Sequence, residues 1–232
     1  METKKWIVLG GTGGLGQALT QRLLARGDRV IVASRQDRES RLGEFEQVDV
    51  TQPDQISALF ERHSDLSGAA NCVGSLLLKP AHLTKMEEWN SLVQLHLTSS
   101  FLMCGAAARA MMSRGGSMLF VSSVAAKLGL PNHEAIAACK GGIEAMVRSA
   151  AASYAPRKIR VNAVAPGLTE TPLIANWSDA TKATSAKMHP LGRIGQAQDL
   201  APVMEHLLCE APWVTGQVWS VDGGLSSVRS GP

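Results

Sequence analysis

Trp6-Ile7-Val8-Leu9-Gly10-Gly11-Thr12-Gly13-Gly14-Leu15-Gly16 sets an apolar run directly against a string of glycines. The run has the length and content of a buried strand, and Leu15 to Arg26 continues as a helix with Leu19, Leu23 and Leu24 on one face. Glycines at such a junction let the chain turn tightly and bring backbone N–H groups to a pyrophosphate at the positive end of the helix. Two registers fit: Gly11, Gly13 and Gly16 spell G-x-G-x-x-G, whereas Gly10, Gly14 and Gly16 spell G-x-x-x-G-x-G. Gly10, Thr12, Gly13, Gly14, Leu15 and Gly16 are therefore candidate phosphate-loop residues. About twenty residues further on, a site for NAD presents Asp or Glu to the ribose 2′-hydroxyl. Here Ser34-Arg35 closes the second strand, with Arg38 nearby. A guanidinium suits a 2′-phosphate through paired, charge-assisted hydrogen bonds. The expected cofactor is NADP(H), favoured over NAD(H); a surface arginine without a ligand is the plain alternative.

The remainder alternates short apolar runs with helical patterns. Strands are expected at Arg29–Ala33, Glu46–Val50, Gly68–Val73, Ser117–Val121, Ile159–Ala165 and Gln217–Val221. Between them fall a helix opening at Pro53, a long helical stretch from Met86 to Met112, another from His133 to Tyr154, and one near Asp199–Leu208. Strands this apolar between helices predict an α/β fold: a doubly wound parallel sheet covered on both faces, in a single domain over 1–232. Thr171–Arg193, rich in Thr, Ser, Ala and Lys, is the one expected mobile element.

Composition narrows the class. With 45% hydrophobic and 19% charged residues the chain is globular rather than disordered, and a net charge of +3 without a Lys/Arg block gives no nucleic-acid surface. Cys72, Cys104, Cys139 and Cys209 form no Cys-x-x-Cys pair, so reduced thiols are expected and no metal. No signal peptide is expected ahead of the first strand, and no apolar run is expected to approach the roughly 20 residues of a membrane span. These readings place the protein in the cytoplasm.

Further segments resemble the short-chain dehydrogenase/reductase family along nearly the whole chain. The glycine register Gly10, Gly14, Gly16 is the family's spacing. Val48-Asp49-Val50 resembles its adenine-contacting segment, and Asn71-Cys72-Val73-Gly74 its Asn-Asn-Ala-Gly turn. Arg160-Val161-Asn162, Pro166-Gly167 and Thr171 match the segment that holds the nicotinamide carboxamide. Pro190-Leu191-Gly192-Arg193 and Asp222-Gly223-Gly224 match its C-terminal motifs. The resemblance implies a seven-stranded parallel sheet, a small-molecule substrate, and assembly as a homodimer or homotetramer. Small residues along the helix after His133 (Ala135, Ala137, Ala138, Gly141, Gly142, Ala145, Ala150 to Ala152) suit such a contact, or packing on the chain's own sheet.

The family's catalytic set is Asn, Ser, Tyr and Lys. Ser123 and Lys140 match, but His96 stands at the Asn position and Ile136 at the Tyr position; the sole tyrosine is Tyr154. Loss of a general acid costs about 10²–10⁴ in rate. His133 lies two helical turns before Lys140, the offset at which the enoyl reductase branch of the family places its Tyr, and is a candidate substitute; a solvated or helix-capping His is the plain alternative. His96 could join Ser123 and Lys140 through water or be a packed side chain, and Lys140 could itself relay a proton. Cys139, Glu134 and His189 are weaker candidates. A site without a strong acid suits conjugated C=C bonds or iminium ions better than simple ketones. Two readings follow: an NADP(H)-dependent oxidoreductase with a non-standard proton donor, or a catalytically silent, cofactor-binding subunit acting through association.

Overall fold

The computed structural model describes residues 3–37 and 42–228. Arg38 lies outside these. The sheet contains β1 (Lys5–Leu9), β2 (Arg29–Ser34), β3 (Glu44–Gln47), β4 (Gly68–Asn71), β5 (Gly116–Val121), β6 (Ile159–Pro166) and β9 (Val218–Val221). Its order is β3-β2-β1-β4-β5-β6-β9, and every pair is parallel. The chain thus winds outward from β1 in one direction, then returns and winds in the other. The switch point between β1 and β4 is where such sheets open a crevice at their carboxyl ends.

Alternation along the strands divides the core in two. Ile7, Leu9 and Ile31 face one layer, packed with α2 (Pro53–Arg62), α4 (Ser99–Met111) and α5 (Glu134–Tyr154). Trp6, Val8, Val30 and Val32 face the other, packed with α1 (Gly14–Ala25) and α7 (Ala197–Glu205). Burial on both faces is why these strands read as unbroken apolar runs.

Several boundaries differ from expectation. The third strand was expected at Glu46–Val50 and lies at Glu44–Gln47, because Gly43 brings the chain in under Val30 and pairing with β2 begins at Glu44. Val48 and Val50 are buried just beyond its end. The stretch from Met86 is α3 (Met86–Val93), one π-helical turn at Gln94–Thr98, and then α4. Contrary to expectation, Met86–Met111 is long and apolar enough by length and composition to cross a membrane, with mean hydropathy 1.2; half of its apolar window is buried in the fold. Within Thr171–Arg193 the chain forms α6 (Asp179–Met188), capped by the Ser178 hydroxyl accepting from Thr181 N–H at 3.2 Å. A two-stranded pair, β7 (Thr169–Glu170) with β8 (Gly195–Gln196), closes the base of that excursion.

Candidate active site

A cavity of 680 Å³ opens at the carboxyl ends of the strands, on the switch point. Its wall gathers most of the residues the sequence singled out: Gly10, Thr12, Gly13, Gly14, Leu15, Ser34, Arg35 and Val50 at one end, and Gly74 beside His96. Ser123, His133, Ile136, Lys140, His96, Pro166, Gly167 and Thr171 line the other. Gly16, Asp49 and Asn71 are not on the wall; each supports it from behind. Gly16 packs α1 against the loop, where a Cβ would stand 2.8 Å from Gly11 Cα. Asn71 donates to the Ser99 and Ser100 hydroxyls at 3.4 and 3.1 Å and accepts from Val73 N–H, tying β4 to α4. Burial pushes the Asp49 carboxyl up, but hydrogen bonds from the Thr51 N–H and hydroxyl (2.9 and 2.8 Å) outweigh it and hold it below its usual value.

The glycine loop leaves room that side chains would fill. Gly10 has φ +72°, and a Cβ there would lie 2.9 Å from Val73 N. A Cβ on Gly14 would meet Thr171 Cγ2 at 2.8 Å, so the loop after β6 is pressed against the phosphate loop. Helix α1 begins at Gly14, and its first N–H groups face the cavity without intrahelical acceptors. The Thr12 and Ser34 hydroxyls share a hydrogen bond of 2.8 Å, joining the loop to the end of β2, and Arg35 is exposed beside them. These are the fittings a dinucleotide needs: N–H groups for a pyrophosphate, and a cation with two hydroxyls at the ribose of the far half.

At the other end the chemistry is unusual. Lys140 is buried on α5, and its ammonium donates to Val121 O at 2.6 Å. No carboxylate lines the cavity among the described residues, and burial lowers the Lys140 pKa to about 8. Ser122, next to Ser123, is engaged inside the fold, donating to the buried Glu144 at 2.9 Å. The Ser123 hydroxyl accepts from Ala125 N–H at 3.2 Å, which leaves its own hydrogen for a ligand. Ile136 is buried with Leu92, Ala135 and Cys139 in a small apolar cluster, and its side chain offers no proton.

The histidines separate. His96 sits in the π turn, where Nε2 accepts from the Ser75 N–H and meets the Ser75 hydroxyl, at 3.2 and 3.1 Å. A backbone N–H can only donate, so the ring proton resides on Nδ1, which has no partner. Burial, with the Lys140 charge nearby, lowers His96 to about 3, and it stays neutral. His96 is thus a neutral donor, not an imidazolium acid. His133 is the residue before α5; its Nδ1 lies 2.7 Å from Pro131 O, which fixes the proton on Nδ1 and leaves Nε2 for the cavity. Glu134 is exposed in the first turn of α5. Burial raises the Cys72 thiol to about 12 and also raises Cys139, so neither is a thiolate.

The cavity also collects residues the sequence did not single out as binding groups: Ser75, Leu76, Leu78, Leu130, Leu168, Leu173 and Ile174, together with Trp177 and Met188; His189, a weaker candidate from the sequence, lines it too. The rest come from loops after β4, β5 and β6, where no periodicity marks which side chain turns inward.

A doubly wound parallel sheet with a glycine-cradled crevice at its switch point defines a nicotinamide-dependent oxidoreductase. A family model described as enoyl-(acyl carrier protein) reductase matches residues 10–226, and the chain belongs to the short-chain dehydrogenase/reductase family. It is 34% identical to carbonyl reductase family member 4 of Danio rerio over 94% of this chain and 96% of that protein. The ligand-free aldohexose dehydrogenase of Thermoplasma acidophilum superposes with a TM-score of 0.91 at 29% identity, covering 100% of this chain and 98% of that one. ElxO with NADP bound shares the fold at a TM-score of 0.91 and 23% identity, covering 98% and 100% of the two chains.

Proposed function

We propose that this chain is an NADP(H)-dependent oxidoreductase acting on a small carbonyl, conjugated C=C or imine substrate, with His133 in place of a tyrosine as proton donor. The observation that carries the reading is the donor set around Ile136. Ser123 and Lys140 present hydrogens, no carboxylate lines the cavity among the described residues, and His133 Nε2 is an unengaged ring nitrogen at its wall. When bound, the dinucleotide supplies a hydride at carbon. The Ser123 hydroxyl and the Lys140 ammonium hold negative charge developing on a substrate oxygen. Pro131 O holds the Nδ1–H, so His133 acts as donor from the imidazolium form: the Nε2 proton passes to the substrate, and the ring is left neutral with its remaining hydrogen on Nδ1. Leu76, Leu78, Leu173 and Trp177 give the substrate end an apolar lining.

Arg35, Ser34 and Thr12 support the 2′-phosphate and hence NADP(H) over NAD(H). A donor-only site that stabilises an enolate supports conjugated C=C substrates, as does the enoyl reductase description of the matching family model. The same reading includes a homodimer or homotetramer working in the cytoplasm.

The test is NADPH consumption across ketones, enones and imines by the wild type, Ile136→Tyr and His133→Ala, with calorimetry of NADP⁺ and NAD⁺. His133→Ala should lower kcat about 10²-fold while leaving NADP⁺ affinity intact. Activity that exists only after Ile136→Tyr establishes the silent-subunit reading instead. Absence of NADP⁺ uptake sinks both.

A further inference from the structure

Among the described residues Lys140 is the one lysine on the cavity wall, and the one lysine the fold buries. Lys5, Lys79 and Lys182 pair with Asp65, Glu88 and Glu170, whereas Lys140 has no ion pair among the described residues. Its amine donates to Val121 O at 2.6 Å. The carboxylate one turn further along α5, Glu144, accepts instead from the Ser122 hydroxyl at 2.9 Å.

The groups facing the amine carry no charge near neutrality. Cys72 after β4 and Cys139 on α5 are thiols that burial keeps protonated, and His96 in the π turn is a neutral ring. Ile136, one turn back on α5, brings neither a hydroxyl nor a charge. An ammonium in such a setting loses hydration that nothing replaces, which favours its neutral form. With its pKa at about 8, roughly one molecule in ten holds a free amine at pH 7, against about one in a few thousand for an exposed lysine.

A free amine on the wall of an apolar cavity is a nucleophile towards carbonyl carbon. Two neighbours supply what that attack needs. The Ser123 hydroxyl keeps its hydrogen for an oxygen on which negative charge develops. His133 presents Nε2 at the same wall, two turns before Lys140. Leu76, Leu78 and Trp177 line the pocket with apolar surface, which suits an uncharged carbonyl compound.

We propose that Lys140 condenses with the carbonyl carbon of a small uncharged aldehyde or ketone to form a Schiff base, a redox-neutral chemistry that needs no dinucleotide. The amine pair forms the C–N bond while the C=O π pair moves to oxygen, and a nitrogen proton passes to that oxygen to give a carbinolamine. The hydroxyl then takes a proton from the His133 imidazolium and leaves as water, as the nitrogen pair closes the C=N bond. The products are an iminium on Lys140, one water and a neutral His133, with no electrons gained or lost.

The experiment incubates the full chain, free of dinucleotide, with butanal and cyanoborohydride at neutral pH. Cyanoborohydride reduces an iminium irreversibly to a secondary amine, so peptide mass spectrometry records the Schiff bases formed at each lysine. Glycylglycine in the same vessel is the reference, because a free α-amine ordinarily titrates at about 8. Lys140 should be butylated roughly tenfold faster than the dipeptide and faster than every other lysine, because the cavity holds the aldehyde beside it. Its rate should also saturate as butanal rises. Butylation of Lys140 no faster than that of the dipeptide, or spread evenly over the lysines, overturns the proposal. Because no NADP⁺ is present, neither result bears on the dinucleotide reading, which calorimetry of NADP⁺ tests by itself.

Discussion

Ile136 alters what the lysine one turn later experiences. With a phenol at that position Lys140 would have a hydroxyl beside it; here Nζ has Val121 O, and burial brings its pKa from 10.5 down to about 8. The native value lies below the unfolded one, so between about 8 and 10.5 the unfolded chain holds more protons, and stability rises with pH across that window. Below about 8 the cofactor-free native state carries the buried charge, at a cost of roughly 3 kcal/mol. Lys140→Met should therefore melt higher than wild type at pH 7, and its advantage should shrink as pH rises from 8 to 10. Thermal melts of the cofactor-free proteins check this; an advantage independent of pH would show that Lys140 holds its proton equally in the folded and unfolded chain. Placing a phenol at 136 has the opposite sense for catalysis. Ile136→Tyr should raise ketone reduction by about 10²–10⁴-fold, measured as NADPH oxidation with a simple ketone. An unchanged rate would mean that the apolar cluster of Leu92, Ala135 and Cys139 holds the new ring away from the cavity.

At the scale of elements, the glycine loop shows how narrowly local sequence is dictated by packing. A Cβ on Gly16 would face Gly10 O, with Gly11 Cα at 2.8 Å, and backbone cannot step aside as a flexible side chain can. Gly16→Ala should cost about 1–3 kcal/mol by overpacking and weaken NADP⁺ binding by shifting the loop. Denaturant melts and calorimetry test both, and a neutral outcome would show that α1 can slide away from the loop. The same packing explains what could be read from the chain in advance. Strands buried on both faces leave continuous apolar runs, and loop glycines leave a fixed spacing, so the sheet, its helices and the cofactor end of the cavity were legible. Helix α6 was not, because none of its side chains is buried and no apolar stripe exists to read. Its trace was the cap, Ser178 followed by Asp179. Nor could the sequence separate three histidines of equal chemical promise. Their roles diverge through backbone partners, Ser75 N–H for His96, Pro131 O for His133 and Ser185 O for His189, and such pairings between loops have no sequence period.

For the whole molecule, the small residues of α5 divide between two duties. Ala135, Ala150 and Ala151 are buried in the chain's own fold, whereas Ala138, Ala145 and Ala152 recur every seventh residue on the outer face, with Gly141 among them. A Cβ on Gly141 would meet nothing within 4 Å. The neighbouring helix α4 carries Phe101 at 68% exposure, and Met112, just past its end, is 37% exposed. A large apolar ring next to a groove of small residues is a self-complementary pattern, since a two-fold axis sets the ring of each copy against the groove of the other. Two substitutions test this from opposite sides. Phe101→Glu removes the ring, and Gly141→Leu fills the groove; neither meets an obstacle within the chain itself. In an isolated subunit Gly141→Leu should raise stability by about 0.5–1 kcal/mol, because glycine is a poor helix interior residue. In a dimer built on this face it should instead weaken assembly, as should Phe101→Glu. Light scattering across a dilution series distinguishes the two: wild type should have the mass of a dimer or tetramer, and both variants should dissociate at higher concentrations. A monomeric wild type, or variants that assemble as tightly as wild type, would remove this face from any account of the quaternary structure.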